Sequence, residues 1–391
     1  MVTKLPQADW LKRDDLPALL AALGPGQARY VGGAVRDTLL GLAVKDVDIA
    51  TPLEPQEVMQ RLKAQGITVV PTGIEHGTVT AALKQGPVEI TTLRHDVSTD
   101  GRRATVAFAR DWQDDAARRD FTINALYADP ETLEVFDYFG GLEDLAARRL
   151  RFIGDARQRI REDHLRILRY FRFQARFGSQ PADKEAEESC SELAATLKGL
   201  SRERIGMEMM NLLGLPNPAP TIARMDQLGV LPVVLPEAQV PVLEALIQHE
   251  QAASAQPDAL RRLAALLPAS AGLAEQVASR FRLSGAQKKR LALAAAREDD
   301  AETDARALAY RLGRDAALDR LLLAGASTAP LLNWEIPTLP IKGGDIVARG
   351  VKAGPEVARV LRAVEARWIA EGFPDESRVS ELLDLELAGS A

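Results

Sequence analysis

A mixed α/β or α+β region reaching to about residue 150, followed by a helical array, is the fold class that the sequence predicts, and three observations predict it. Short β-branched runs alternate with segments of helical period in the first 150 residues. Beyond them strand signals nearly vanish, and Ala/Leu/Arg/Glu segments of helical period follow one another, broken by turn clusters at 214–220, 256–258 and 338–344. A length of 391 residues is enough for two to four units with cores of their own.

In chain order, 28–31 reads as the first strand, and it runs through Gly32 and Gly33 into a helix over 34–40. Strands follow over 47–50, 69–71, 78–83 and 88–93, with a helix over 56–63 between the first two. Residues 94–103 (Arg-His-Asp-Val-Ser-Thr-Asp-Gly-Arg-Arg) read as an exposed loop of mixed charge. Over 118–126 a helix would place Asp120 and Asn124 four apart on one face, although Asp120 would serve equally as a plain helix cap. Residues 136–145 contain a Gly140-Gly141 turn. From Arg148 to Arg176 ten arginines stand against three acidic residues, a local charge of +7, with Tyr170, Phe171 and Phe173 as core. Ser201 is placed as an N-cap. Residues 215–330 say only that helices pack there.

The balance of 49 basic against 55 acidic side chains, a net charge of −6, excludes a protein that grips nucleic acid with its whole surface, so any polyanion must be met locally. The lone Cys190 excludes a disulfide framework and a cysteine-rich zinc site, and His76, His95, His164 and His249 have no zinc spacing. No apolar stretch approaches the length of a membrane span, and residues 1–16 carry charges where a leader would carry an apolar core. These features point to a soluble protein of a reducing compartment, the cytoplasm.

The chemistry is concentrated in three constellations. A strand that ends in Gly32-Gly33 and opens directly into a helix exposes backbone N–H groups where no Cβ obstructs a triphosphate, with Gly33 and Arg36 placed to hold phosphate. Separated from Gly33 by twelve residues, Asp46 and then Asp48 alternate with Val47 and Ile49, so on a strand both carboxylates face one side while their neighbours face the core. Hard oxygen ligands so placed suit a pair of Mg²⁺ ions engaged in phosphoryl-type transfer. Either element alone is as readily a turn glycine pair or a half-exposed acidic strand.

At this point the chain resembles the nucleotidyltransferase superfamily that includes DNA polymerase beta, and within it the bacterial-type, class II tRNA nucleotidyltransferase (CCA-adding) and poly(A) polymerase family. The resemblance runs from about Tyr30 to Gly214, with a weaker echo over Gly343 to Trp368. It implies an α+β nucleotidyltransferase head with a mixed sheet over 1–147. An all-α neck over 148–214, a helical body over 215–312 and a tRNA-facing helical tail over 313–391 would follow. Asp46 and Asp48 match the metal ligands, and Glu89 matches a third carboxylate on a later strand, although an outward-facing strand glutamate fits it equally. Gly32, Gly33 and Arg36 match the nucleotide's phosphate site, and Arg119, Asp120 and Asn124 the motif that contacts its sugar and phosphate. Asp163 and Arg166 match the pair that reads the nucleobase in place of a template, with Arg169 and Arg172 as further contacts of the same motif. The 94–103 segment occupies the position of a loop needed for adding the terminal A, and 136–145 that of a hinge between catalytic and helical parts.

The third constellation can be tested by hydrogen-bond arithmetic. Residues three apart lie one turn up a helix face, so Asp163 and Arg166 would aim an acceptor and a forked donor into one pocket. Cytosine and adenine each offer an exocyclic NH₂ donor beside a ring-nitrogen acceptor, which such a pair satisfies, whereas uracil and guanine present the reverse order. A wrong base would leave a buried charge unpaired. The implied activity is addition of C, C and A to the 3′ end of tRNA from CTP and ATP, with Mg²⁺. Three rivals are an A-adding enzyme working beside a CC-adding partner, a poly(A) polymerase, and a catalytically silent RNA-binding scaffold. Long basic extensions typical of the second are not seen, since the last nineteen residues hold five acids and one arginine. The third would be expected to lose Asp46 or Asp48.

Overall fold

A computed structural model of the chain describes residues 2–100, 103–109, 111–297 and 304–388, with the backbone alone over 95–107. The chain forms two units, residues 1–236 and 237–391.

In the first unit, α1 (Leu16–Leu23) precedes β1 (Arg29–Val31), α2 (Gly33–Leu39), β2 (Val47–Thr51), α3 (Pro55–Ala64), β3 (Thr68–Gly73), β4 (Thr78–Ala82) and β5 (Val88–Thr92). The expected strands and helices over 28–93 are therefore present within a residue or two of their predicted bounds. Strands β6 (Arg94–Asp100) and β7 (Arg103–Phe108) form a two-stranded antiparallel ribbon. This corrects the reading of 94–103 as a loop: the backbone of 94–100 pairs with that of 103–108, whose run Ala104-Thr105-Val106-Ala107-Phe108 is strand-forming and lies mostly beyond the segment so read. Gly101 and Arg102 lie outside the described residues. After α4 (Trp112–Ala117), β8 (Leu126–Ala128) and β9 (Val135–Asp137) complete a seven-stranded sheet of order β3-β4-β5-β2-β1-β8-β9. Only the β2/β5 pair is parallel. The sheet is mixed, as expected.

The alternation within β2 and β5 sets the two faces of the sheet. Val47, Ile49, Val88 and Ile90 are buried on the side against which α2 and α3 pack, whereas Asp48 is half-buried and Glu89 exposed on the other. That second face is covered in part by a small core of Val31, Ala50, Leu93, Ala116, Ala125 and Tyr127, with Trp112 and Phe136 against it.

Helices then take over, as the sequence predicts: α5 (Gly141–Ala146), α6 (Ala156–Glu162), α7 (Arg166–Phe177), α8 (Lys184–Leu193), α9 (Arg202–Leu213), α10 (Ala219–Gln227) and α11 (Leu231–Val234). Tyr170, Phe171 and Phe173 of α7 are buried, ringed by Phe121 and Phe152. The Gly140-Gly141 pair serves the local turn. Gly140 has φ +78°, and a Cβ on Gly141 would fall 2.4 Å from the Thr122 carbonyl oxygen, so a close approach of α5 requires glycine there. Ser201 sits at the N-cap position of α9, but its side chain makes no capping hydrogen bond.

The second unit holds α12 (Val240–Ala252), α13 (Ala259–Leu266), α14 (Ala271–Arg280), α15 (Gly285–Ala295), α16 (Ala305–Leu312), α17 (Arg314–Ala324), α18 (Gly343–Ala348), α19 (Pro355–Ala370) and α20 (Glu376–Ala388). Its later helices share a core of Ile346, Val360, Val364, Trp368, Val379, Leu382 and Leu383. No helix among the described residues is long and apolar enough to cross a membrane.

Candidate active site

The site begins where β1 ends. Gly32 takes φ +67°, which a side chain rarely adopts, and a Cβ there would stand 3.5 Å from Arg119 Nη1 and 3.6 Å from the Asn124 carbonyl oxygen. Glycine thus lets β1 turn directly into α2 and lets Arg119 lie against the turn. Arg36, one turn along α2, is only 5% exposed. Its guanidinium is held at 2.8 and 2.7 Å by Asp37 and at 2.5 Å by Asn124 Oδ1, and it lies 4.1 Å from the centre of the Phe177 ring. Burial lowers its pKa, with the Asp37 charge opposing.

Asp46 is exposed just ahead of β2, and Asp48 lies within it. Across the parallel β2/β5 pair, Asp48 stands directly opposite Glu89. Burial, then the Glu89 charge and more weakly that of Asp46, push Asp48 up to about 6 against the pull of Arg119. Among the described residues no three His, Cys, Asp or Glu side chains converge closely enough to hold a metal ion by themselves. The donor set nevertheless fits a hard divalent cation. Mg²⁺ is commonly held by one or two carboxylates, with waters and substrate phosphates completing its shell, and a cation here would relieve mutually repelling carboxylates.

Arg119 is fixed from behind by Tyr127 OH at 3.1 Å and by Asp115 Oδ2 at 3.1 Å, and Tyr127 in turn donates to Asp115 at 2.6 Å. Burial would raise Asp115, but the charges of Arg119 and Arg118 and the Tyr127 hydrogen bond hold it at about 2. Asp120 and Asn124 do not lie on an α-helix. Residues 118–120 are a turn after α4, and Thr122–Asn124 form a single 3-10 turn, because Phe121 must pair as strand with Phe152. The tighter turn still brings them together, with Asn124 Nδ2 donating to Asp120 Oδ1 at 3.0 Å. The other oxygen of Asp120 accepts two bonds from Arg169, at 2.8 and 2.6 Å. Burial works against the charge, yet Arg169 and Asn124 hold Asp120 at about 2.

Asp163 and Arg166 do not share a helix either. Asp163 closes α6 in an extended conformation, and Arg166 opens α7. The Asp163 carboxylate accepts the Leu165 N–H at 3.1 Å, which turns the chain between the two helices, and Arg204 at 2.7 Å. Arg166 donates to the Arg159 and Arg118 carbonyls and to Glu162. These contacts use three of the five N–H groups of Arg166, and Asp163 likewise keeps lone pairs to spare. Arg172 is bound by Glu208 at 2.6 Å, one turn along α9 from the Arg204 that holds Asp163, and lies over the Phe173 ring at 4.6 Å.

The arginine strip is far less positive in space than along the chain. Arg149 and Arg151 pair with Asp144, Arg157 with Glu192, Arg159 and Arg166 with Glu162, Arg169 with Asp120, Arg172 with Glu208, and Arg176 with Asp37. Most of these acids lie outside the strip, so a count over 148–176 misses them. Sequence reasoning also missed Asp115, whose signal was its spacing of three and four from Arg118 and Arg119. Tyr127 and Arg204 gave none, since their partners lie outside the range of local spacing, and neither did the pairing of Asp37 with the distant Arg176.

A family model described as the Poly A polymerase head domain matches residues 28–151, and one described as the probable RNA and SrmB-binding site of polymerase A matches residues 182–240. The mitochondrial CCA tRNA nucleotidyltransferase 1 of Mus musculus is 34% identical over 365 residues, covering 89% of this chain and 84% of its own, and the Homo sapiens protein is 34% identical over 380 residues, covering 90% and 84%. A CCA-adding enzyme of Streptococcus pyogenes serotype M2 is 46% identical over 195 residues, which is 49% of this chain and 46% of that protein. Among solved structures, a Bacillus stearothermophilus CCA-adding enzyme in complex with CTP superposes with a TM-score of 0.75 at 26% identity, covering 98% of this chain and 99% of its own. A Thermotoga maritima CCA-adding enzyme complexed with tRNA shares the fold, with a TM-score of 0.69 at 21% identity over 97% and 99% of the two chains.

Proposed function

The chain belongs to the CCA tRNA nucleotidyltransferase family, and on that premise we propose that it adds C, C and A to the 3′ end of tRNA without a nucleic-acid template, using CTP and ATP. The terminal 3′-hydroxyl oxygen forms a bond to the α-phosphorus of the incoming nucleotide, the bond from that phosphorus to the β-phosphate bridge breaks, and pyrophosphate leaves. The observation that carries this reading is the Asp48/Glu89 pair, with Asp46 ahead of it, standing beside the glycine opening into α2. The solved structures named above include one in complex with CTP and one complexed with tRNA.

Asp46 and Asp48 would hold a divalent cation, which we assign as Mg²⁺. When bound, it supplies Lewis-acid stabilisation of the charge that develops on the transferring phosphoryl group. Glu89 adds negative charge to the same spot. The Gly32–Gly33 backbone and Arg119 meet the triphosphate, and Asp120 and Asn124 meet the ribose. Arg36 and Arg169 act on these two by holding Asn124 and Asp120 in place. Asp163 and Arg166 read the base with the hydrogen-bonding capacity left over from Arg204 and Glu162. Arg172, bound by Glu208, supports α7.

We assign residues 1–147 to a catalytic head, 148–214 to a neck, 215–312 to a body and 313–391 to a tail, with the cytoplasm as the compartment. The β6/β7 ribbon is assigned to the switch from C to A. Replacing residues 96–103 with a short Gly/Ser linker should leave products ending in CC with ATP unused.

The decisive assay incubates tRNA ending at the discriminator base with Mg²⁺ and CTP, ATP, or both. Products ending in CCA are expected. Addition of A only to a tRNA already ending in CC would make the chain an A-adding enzyme, and a long A ladder a poly(A) polymerase.

A further inference from the structure

The face of the sheet that carries Asp48 and Glu89 is covered over β2, β1 and β8 by the Val31/Ala50/Tyr127 core, but toward the β3 edge it carries partly exposed side chains. Pairing registers align one row across it: Val70 opposite Thr80, Thr80 opposite Glu89, and Glu89 opposite Asp48. A second row runs beside it, with Thr78 opposite Thr91 and Thr91 opposite Ala50. Thr72 Oγ1 reaches Thr80 Oγ1 at 2.7 Å across the irregularity in β3, and Thr78 Oγ1 lies 3.1 Å from Thr91 Oγ1. Four hydroxyls thus form a shelf that begins at Glu89 and ends at Val70, which is 46% exposed.

Each hydroxyl has one O–H. Within each threonine pair one O–H serves the other oxygen, so the second is left to donate outward, and oxygens with lone pairs remain on both. Such a surface hydrogen-bonds phosphate oxygens and 2′-hydroxyls alike, and it carries no charge. A neutral shelf binds weakly and lets its ligand advance, which suits a strand that must move after each addition.

The occupant follows from the in-line geometry of the reaction. Attacking and leaving oxygens lie on opposite sides of the α-phosphorus. The groups proposed for the triphosphate, Gly32, Gly33 and Arg119, all lie on the β1 side of Asp48, so the attacking 3′-hydroxyl comes from the β5 side. Resting on the reading that RNA is the acceptor, we infer that Thr72, Thr78, Thr80 and Thr91 form the track along which the last nucleotides of the tRNA 3′ strand approach Asp48, as positioning residues for the acceptor and not for the nucleotide.

The test uses the double variants Thr72→Val/Thr80→Val and Thr78→Val/Thr91→Val, which keep β-branched shape and leave no unpaired hydroxyl within a pair. Each should raise KM for tRNA ending in the discriminator base about tenfold, as loss of one or two hydrogen bonds implies, while KM for CTP changes by less than about twofold. Because the shelf is neutral, the tRNA effect should hold across a several-fold range of salt. Thermal melting and the unchanged CTP value report whether the head is folded. Unchanged KM for tRNA in both variants, or equal rises for tRNA and CTP, would overturn the track while leaving CMP addition by the parent protein intact. A parent protein that adds no CMP to tRNA would overturn both.

Discussion

Two sets of carboxylates, one in each unit, treat the same chemistry in opposite ways. In the second unit Glu250 and Asp319, 2% and 0% exposed, are fully answered: Glu250 takes Arg261 and Arg262 at 2.7 and 2.9 Å, and Asp319 takes Arg261 and Arg290 at 2.9 and 2.7 Å. The network joins α12, α13, α15 and α17. In the first unit Asp48 stands opposite Glu89, with Asp46 just ahead of it in the chain, and Asp48 is pushed up to about 6 by burial and by these acidic neighbours. A fold able to surround a buried carboxylate with arginines has left this set short of positive charge. The first cluster is spent on holding helices together, and the second is left to bind something positive.

The largest expected difference between them is in the response to losing one carboxylate. Asp48→Asn should lower nucleotide addition at least about a thousandfold, the equivalent of roughly 4 kcal/mol of transition-state stabilisation. It should not lower thermal stability, because the substitution removes repulsion and breaks no ion pair in the folded chain. Activity near that of the parent would show that Asp48 holds no cation, and a collapse in stability would show that its charge is structural after all. Asp319→Ala should do the reverse. Arg261 is 4% exposed, and stripping it of one partner leaves charge uncompensated, which costs roughly 3–5 kcal/mol. Faster amide hydrogen exchange through α13, α15 and α17 would register it, and unchanged exchange there would mean that the network contributes nothing.

Asp163 falls between these two cases, since it is tied to Arg204 yet keeps lone pairs for a ligand. Asp163→Ala should raise use of UTP relative to CTP by about tenfold to a hundredfold, as removal of an acceptor that repels the uracil O4 implies. An even loss across all four nucleotides would assign Asp163 to holding α9 through Arg204 and to nothing else.

The same contrast marks what could be read from the sequence. The head's first five strands were legible as short β-branched runs bounded by turn residues, and β4 and β5 also alternate buried and open positions. Strand β8 was not, because Leu126, Tyr127 and Ala128 are all buried, and a uniformly buried three-residue strand has no period. The Asp120/Asn124 contact was anticipated on a helix and is made by a 3-10 turn, since Phe121 pairs with Phe152, a partner that local propensity does not see. The placement of Asp163 and Arg166 on one helix failed because the Asp163 side chain caps the break between α6 and α7. The Arg148 to Arg176 strip misled most. Its charges are matched by Asp37, Asp120, Asp144, Glu192 and Glu208, which reach it only once the chain has folded.

Helix caps give the smallest effect and the finest contrast between the units. Ser284 in the second unit forms a complete capping box: Ser284 Oγ accepts the Gln287 N–H at 3.3 Å, and Gln287 Oε1 accepts the Ser284 N–H at 2.9 Å. Ser201, with an equally good residue at the same position of α9, makes no such bond. Ser284→Ala should therefore cost about 1 kcal/mol, seen as faster exchange of the amides in the first turn of α15, because the Gln287 N–H loses its side-chain acceptor. Ser201→Ala should cost no more than a few tenths of a kcal/mol, since α9 is held by Met209, Leu212 and Leu213 in the core and by Glu208 pairing with Arg172. Equal losses at the two serines would mean that Ser201 caps its helix in solution, and would return to the sequence a reading that the folded chain has overruled.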